Sequence, residues 1–306
     1  MFYFAVQTII KNMPFKSGFV NIIGKPNAGK STLLNAILGE KLSAISPKVQ
    51  TTRHRILGIL NGDDFQIVLS DTPGILTPEY KLHEAMREFI YSSFRDVDII
   101  LYLADVTDRD ITIDKKIAEQ IIRSKAPRIL VINKMDLIKN EWSEDDSSKW
   151  NKILQWSSII TISAKNETGI NNLKTLILQH LPEHVPYFST DEMSDRPVRF
   201  FVSELIREKI FIQFWQEIPY CSEVVIDDFK ENPEITVIKA TIFVNKDSQR
   251  PIIIGKKGSA IKILGTEARK DIEKFIGSKV YLELSVKVKE DWRDNEHILK
   301  SFGYTE

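Results

Sequence analysis

Gly24-Lys25-Pro26-Asn27-Ala28-Gly29-Lys30-Ser31 is a G-x-x-x-x-G-K-S loop. It follows the apolar run Phe19-Val20-Asn21-Ile22-Ile23 and leads into Thr32-Leu33-Leu34-Asn35-Ala36-Ile37-Leu38. A buried strand, a glycine turn and a helix start are the setting in which this spacing has a mechanism. The glycines let the backbone curl so that successive N–H groups converge on phosphate oxygens, aided by the helix N-terminus. The phosphate-contacting stretch is expected to run from Gly24 to Thr32. Within it, Lys30 reaches the β- and γ-phosphates of a nucleoside triphosphate and the Ser31 hydroxyl ligates Mg²⁺.

Other short motifs point to the base. Asn133-Lys134-Met135-Asp136 ends the run Ile129-Leu130-Val131-Ile132, at the carboxyl end of a strand where ligands of open α/β sheets bind. An aspartate there accepts from the N1–H and exocyclic amine of guanine, a donor pair that adenine lacks. Asn133 is expected to brace neighbouring loops, and the Lys134 stem to lie along one face of the base. Ser163-Ala164-Lys165 follows the strand Ile159-Ile160-Thr161-Ile162, and the small Ala164 lets a backbone N–H approach the guanine O6. Asp71-Thr72-Pro73-Gly74 ends the strand Phe65-Gln66-Ile67-Val68-Leu69. Asp71 is expected to hold Mg²⁺ through a water, and the Gly74 N–H to point at the γ-phosphate, with Ile75 following. Gln50-Thr51-Thr52-Arg53-His54 offers two threonines for the metal shell, of which Thr52 is preferred. Four motifs in this order, each abutting a strand end, predict a GTP/GDP-binding domain.

Catalysis is expected from Lys30, Thr52, Asn27 and Gly74. A Ras-type switch orients the attacking water with a glutamine just after the Asp-x-x-Gly motif. Ile75 stands there, and it cannot orient water by hydrogen bonding, so slow intrinsic turnover is expected. Asn27 resembles the loop asparagine that holds a monovalent cation beside the phosphates in related GTPases. K⁺ is therefore a candidate cofactor, the alternative being that Asn27 only braces the loop.

With 306 residues the chain suits two domains. Its 42 basic and 42 acidic residues cancel, so any electrostatic partner must meet a local patch. A single cysteine, Cys221, excludes an internal disulfide framework and fits a reducing compartment as a packed thiol. The five histidines form no zinc-like cluster with it. The apolar start, Met1 to Met13, is too short to span a bilayer, and Met13 is an alternative start.

Strands near 19–23, 55–61, 65–70, 98–104, 128–132 and 159–162 alternate with helices near 30–38, 81–94, 112–124, 146–156 and 170–181. This predicts an α/β P-loop domain, a mostly parallel sheet with helices on both faces, and one antiparallel hairpin at Asn61-Gly62-Asp63-Asp64. The expected division is an N-terminal extension, 1–16, a nucleotide domain, 17–181, a linker, 182–197, and a smaller α+β domain, 198–306. In the last, a helix near 199–217 is followed by strands near 222–230 and 234–245. A short helix near 248–254, Gly255-Lys256-Lys257-Gly258, a helix to 276 and a strand at 279–289 complete it. The order αββααβ with a G-x-x-G turn describes a KH (type 2) module, which clamps about four nucleotides of single-stranded backbone. Between 250 and 270 there are six basic residues and one acidic one. Ile254, Gly255, Lys256, Lys257, Gly258, Lys262, Arg269 and Lys270 are the candidate RNA contacts, with a protein-docking module as the alternative.

From about residue 17 onward the chain resembles the Era family of GTPases. The resemblance runs through the motifs above and continues in Ile254-Gly255-Lys256-Lys257-Gly258, Glu267-Ala268-Arg269-Lys270-Asp271 and Gly303-Tyr304. Ala28 stands where valine is commoner in the family. The resemblance implies a cytoplasmic GTP-dependent switch that binds small-subunit ribosomal RNA near its 3′ end, and the immature small ribosomal subunit, during small-subunit biogenesis. It also implies peripheral association with the inner membrane, although the sequence carries no lipidation motif. The chain is read as a monomer. Two other readings are a nucleotide-stabilised RNA-binding scaffold with negligible catalysis, and a membrane or trafficking GTPase with a protein-docking second domain.

Overall fold

The computed structural model describes residues 15–75, 77–108, 110–138 and 142–304. Most of the expected N-terminal extension, with Met13, lies outside them. Tertiary contacts divide the chain into two units. The first comprises the residues up to Glu40, Arg55–Thr72 and Ile90–Asp195; the second comprises Lys41–His54, Pro73–Phe89 and the chain from Arg196 on.

The first unit is built on a six-stranded sheet. Its strands are β1 (Lys16–Gly24), β2 (Ile56–Asn61), β3 (Phe65–Asp71), β4 (Ile99–Asp105), β5 (Arg128–Asn133) and β6 (Ser158–Thr161). They lie in the order β2-β3-β1-β4-β5-β6, with β2 and β3 antiparallel and the other pairs parallel. β4 and β5 are near-continuous apolar runs, as strands covered on both faces must be. Helices α1 (Lys30–Leu38), α2 (Lys81–Ser92), α3 (Lys115–Arg123), α4 (Glu144–Asn151) and α5 (Ile170–His180) follow in the chain, most of them serving as the crossovers that parallel pairing requires, and α2 belongs to the second unit as far as Phe89. Local sequence starts two of them: Asp114 accepts from Ile117 N at 3.1 Å, and Ser143 and Asp146 form a capping box. The proline-bearing stretch after α5 reads as a linker by composition. Its residues 182–195 nevertheless bind the first unit: Ser17 N donates to Pro182 O (3.1 Å), Ile59 N to Met193 O (2.9 Å), and Gln66 Nε2 to Phe188 O (2.9 Å). Tyr187 meets Phe19 edge-on at 4.8 Å.

The second unit holds α6 (Val198–Gln213), α7 (Ile218–Cys221), β7 (Glu223–Lys230), β8 (Thr236–Val244), α8 (Arg250–Ile254), α9 (Ser259–Ile276), β9 (Val280–Val288) and α10 (Glu296–Ser301). The sheet order is β7-β8-β9, the first pair antiparallel and the second parallel. From α6 to β9 this is the αββααβ order expected from sequence, with α7 an added short turn. The helix expected to 217 stops at Gln213, because Phe214 is extended (ψ 157) and Gln216 takes a left-handed φ of 53. One core joins Val202, Ile206 and Ile210 of α6 to Ile238 and Ile242 of β8 and to Leu264, Ala268 and Ile272 of α9. A second core packs Leu82, Met86 and Phe89 against Trp292, Leu299 and Tyr304. Among the described residues no helix is long and apolar enough to cross a membrane.

Candidate nucleotide and nucleic-acid sites

The phosphate loop bends where its glycines allow it. Gly29, at the start of α1, has φ 99, and a Cβ there would sit 2.3 Å from Asn133 Nδ2; a Cβ on Gly24 would meet Leu103 O at 2.3 Å. A larger residue at Gly24 would displace the β4 backbone, and one at Gly29 would displace the Asn133 side chain and strain a left-handed φ. Asn27 is exposed with φ 60, whereas Ala28 is buried. The first turn of α1 carries no acidic residue of its own, which suits a helix N-terminus that would receive an anion. Lys30 is buried, and its Nζ donates to Gly24 O (3.1 Å) and Lys25 O (3.0 Å), which holds the ammonium over the loop. Burial pulls its pKa down to about 8, with Asp71 opposing the fall. Ser31 Oγ donates to Asp71 Oδ2 at 2.7 Å. A hydroxyl and a carboxylate so placed are hard oxygen donors, the set that Mg²⁺ takes. Among the described residues no group of three or more His, Cys, Asp or Glu could hold a metal ion by itself.

The base motifs are assembled through Asn133. Its Nδ2 donates to Ala28 O (2.9 Å) and its Oδ1 accepts from Ala164 N (2.9 Å), tying three loops to one side chain. The bracing expected of Asn133 is thus present, and the N–H of Ala164 itself is directed at Asn133. Asp136 is exposed, and its Oδ1 accepts from Ser163 Oγ at 2.5 Å, which aims the carboxylate. Lys134, at φ 65, places Nζ 2.6 Å from Asp105 Oδ2 at the end of β4; that contact holds the Asp105 carboxyl below its usual range despite partial burial. Lys165 is exposed. Two loop residues face elsewhere: Lys25 pairs with Asp108 at 2.9 Å, and Thr72 is fully buried with Oγ1 donating to Ile22 O at 2.9 Å. Thr52, and Pro73, Gly74 and Ile75, belong to segments that pack with the second unit; Thr52 and Pro73 are buried, Gly74 and Ile75 half-buried.

In the second unit, Gly255 has φ 73, and a Cβ there would lie 2.6 Å from Ala260 Cβ. Gly258 has φ 79 with open space around it, so its constraint is backbone conformation rather than room. Lys256 and Lys257 are exposed on the turn. A groove of about 370 Å³ runs between α9 and β9, lined by Ile261, Lys262, Gly265, Arg269, Tyr281 and Leu282 among others. Lys262 and Arg269 therefore meet at one surface. Ile254 packs against the core cluster, and Lys270 pairs with Glu267 at 2.7 Å. Tyr281, 54% exposed on the groove wall, belongs to none of the sequence motifs; period-2 alternation along β9 marks it as outward-facing.

Residues 19–134 match the protein family described as 50S ribosome-binding GTPase, and residues 217–293 the KH domain family. GTPase Era of Heliobacterium modesticaldum is 41% identical over 292 residues, covering 95% of this chain and 98% of that protein. GTPase Era of Geobacter metallireducens is 44% identical over 294 residues, covering 95% and 99%. The chain belongs to the Era family of GTPases. A crystal structure of Era in complex with MgGDPNP and nucleotides 1506–1542 of 16S ribosomal RNA superposes with a TM-score of 0.89, at 39% identity, over 95% of this chain and all of that one. Aquifex aeolicus Era bound to GDP and AlF₄⁻ superposes equally well.

What motif reading leaves out in this Era chain is the anchoring of Lys41–His54. Arg53 is fully buried, and its guanidinium donates to Ser222 O (2.8 Å), Glu223 Oε2 (2.9 Å), Pro219 O (2.9 Å) and Tyr220 O (3.2 Å). Tyr304 donates to the same Glu223 oxygen, and His54 stacks on the Tyr304 ring at 4.3 Å. The Arg53 partners lie about 170 residues away in sequence, so no local signal reveals them.

Proposed function

We propose that this chain is a GTP-hydrolysing switch that binds small-subunit ribosomal RNA near its 3′ end and assists small-subunit assembly in the cytoplasm. The observation that carries the nucleotide half is Asn133 tying the phosphate loop to the Ser163–Lys165 loop beside an Asp136 carboxylate that Ser163 orients. The groove beside the Gly255–Gly258 turn, and the RNA held by the 39% identical Era structure, support the other half.

The residues divide the work. Asp136 reads guanine, the Gly24–Thr32 loop cradles the phosphates, and Lys30 neutralises charge between the β- and γ-phosphates. Ser31, Asp71 and Thr52 are the side chains that would hold Mg²⁺, which when bound adds positive charge beside the phosphate oxygens. Gly74 offers its N–H to the γ-phosphate. Ile75 supplies no hydrogen bond to the attacking water, so unaided turnover is slow. Asn27, exposed on the loop, is the candidate holder of K⁺; turnover should fall when Na⁺ replaces K⁺, and Asn27→Ala should erase that difference. Lys256 and Lys257 meet RNA phosphates while Lys262 and Arg269 border the bases.

Replacing Asp136 with Asn tests the guanine reading. The variant should lose GTP affinity, about 1.5–3 kcal/mol for each charge-assisted bond, and gain relative affinity for xanthosine triphosphate. Unchanged GTP binding would place the base elsewhere. Crosslinking to cellular RNA should map to the 3′ end of the small-subunit RNA, and a map scattered over other RNAs would defeat the ribosomal assignment.

A further inference from the structure

Trp215 is 72% exposed, more than any other large apolar side chain among the described residues, and neither the nucleotide site nor the α9–β9 groove uses it. It stands at a sharp bend: Phe214 leaves α6 in extended conformation and Gln216 is left-handed at φ 53. Lys48 Nζ lies 4.3 Å from the centroid of the indole, so a cation backs one face of the ring. The same ammonium donates to Phe211 O at 2.5 Å and to Phe214 O, which fixes it on the last carbonyls of α6. The end of α6 is fastened in turn to the G-x-x-G turn. Gln213 Nε2 donates to Ala260 O at 2.9 Å, and Ala260 is the residue packed so closely on Gly255 that a Cβ there would clash.

An open aromatic face with an ammonium beside it, adjoining the turn that grips phosphates, matches the parts of one nucleotide: a base to stack and a phosphate to neutralise. We propose that Trp215 is a stacking platform for an unpaired RNA base flanking the nucleotides held at Gly255–Gly258, with Lys48 placing charge beside the adjoining phosphate. This rests on the RNA-binding reading above. Stacking accepts any base, so the platform lengthens the RNA footprint without adding a base preference.

The test uses the full chain and labelled single-stranded RNA. One oligonucleotide has four nucleotides of the 3′-terminal small-subunit sequence; others add one to four nucleotides at either end. Binding is read by fluorescence anisotropy for wild type, Trp215→Ala, Trp215→Phe and Lys256→Asp/Lys257→Asp. Trp215→Ala should bind the extended RNAs about 5- to 100-fold more weakly than wild type does while binding the tetranucleotide equally. Trp215→Phe should recover part of the loss, because a smaller ring still stacks. Equal binding of every length by wild type and Trp215→Ala overturns the platform and leaves the RNA reading intact, as does a loss that is the same for tetranucleotide and extended RNA. Trp215-dependent sedimentation with phosphatidylserine vesicles, without a length-dependent RNA loss, assigns the ring to a membrane surface instead. If wild type binds no RNA, or the double-aspartate variant binds as wild type does, the RNA reading itself fails and the platform with it.

Discussion

Lys30, the buried ammonium proposed to meet the phosphates, is tuned by its surroundings. Without phosphates the ammonium is held by two backbone carbonyls, and burial lowers its pKa to about 8. A triphosphate beside it favours the charged form and raises the pKa again. The free protein therefore gives up the Lys30 proton as pH rises through about 8, and the complex keeps it. Binding GTP at pH 9 should take up close to one proton, and binding at pH 6.5 essentially none from this group. Calorimetric titrations in two buffers of different ionisation enthalpy measure that number, and equal uptake at both pH values would mean that another group titrates.

At the scale of elements, Lys41–His54 forms neither helix nor strand, so side chains hold it in place. Arg53 anchors its C-terminal end, since four acceptors converge on a guanidinium with no exposure, while Lys41 and Lys48 tie earlier positions to Glu208, Asp271 and the carbonyls of Phe211 and Phe214. Loss of Arg53 leaves Glu223 buried with Tyr304 as its side-chain hydrogen-bond partner and Arg207 as the remaining nearby positive charge. Arg53→Ala should cost about 3–5 kcal/mol in urea unfolding of the second unit. Arg53→Met combined with Glu223→Gln should recover much of that, because no charge is then stranded. If single and double variants unfold alike, the pair is not what anchors the segment.

For the whole molecule, pH and salt should act on different parts. His54 is buried against Tyr304, Phe89 and Phe200; burial first, then Arg207, Arg196 and Arg53, push its pKa well below the usual 6.5, against a raising contact from the Gly303 backbone. In the folded chain it stays neutral where the unfolded chain binds a proton. Its contribution is therefore complete above pH 6.5 and is lost as pH falls below that value, at up to about 1.4 kcal/mol per pH unit. His54→Phe should flatten the stability profile between pH 5 and 6.5, measured by urea midpoints; an unchanged slope would assign the acid sensitivity to another group. Salt acts instead on the exposed turn. Lys256→Asp with Lys257→Asp should collapse affinity for the ribosomal RNA fragment and flatten the residual salt dependence, since counterion release at those contacts is gone. GTP affinity should be unchanged, because the phosphate loop Gly24–Thr32 and the base loops Asn133–Asp136 and Ser163–Lys165 lie in the other unit. A parallel loss of GTP binding would show the two units to be energetically coupled.

The sequence alone determined the two site types and the order of elements. Phosphate and base motifs are short, contiguous and pinned to strand ends, so residue type and spacing suffice to recognise Gly24–Ser31, Asn133–Asp136 and Gly255–Gly258. Periodicity likewise located α1 and the β2–β3 hairpin, because those depend on neighbours in the chain. Tertiary structure decided what lies far apart in sequence: Asn133 joining Ala28 to Ala164, Arg53 meeting Glu223, and Lys48 backing Trp215. It also ended α6 at Gln213 and placed Trp292, Leu299 and Tyr304 in a core with Leu82 and Phe89. Burial and long-range hydrogen bonds set those outcomes, and a one-dimensional pattern does not say which distant group will supply the missing partner.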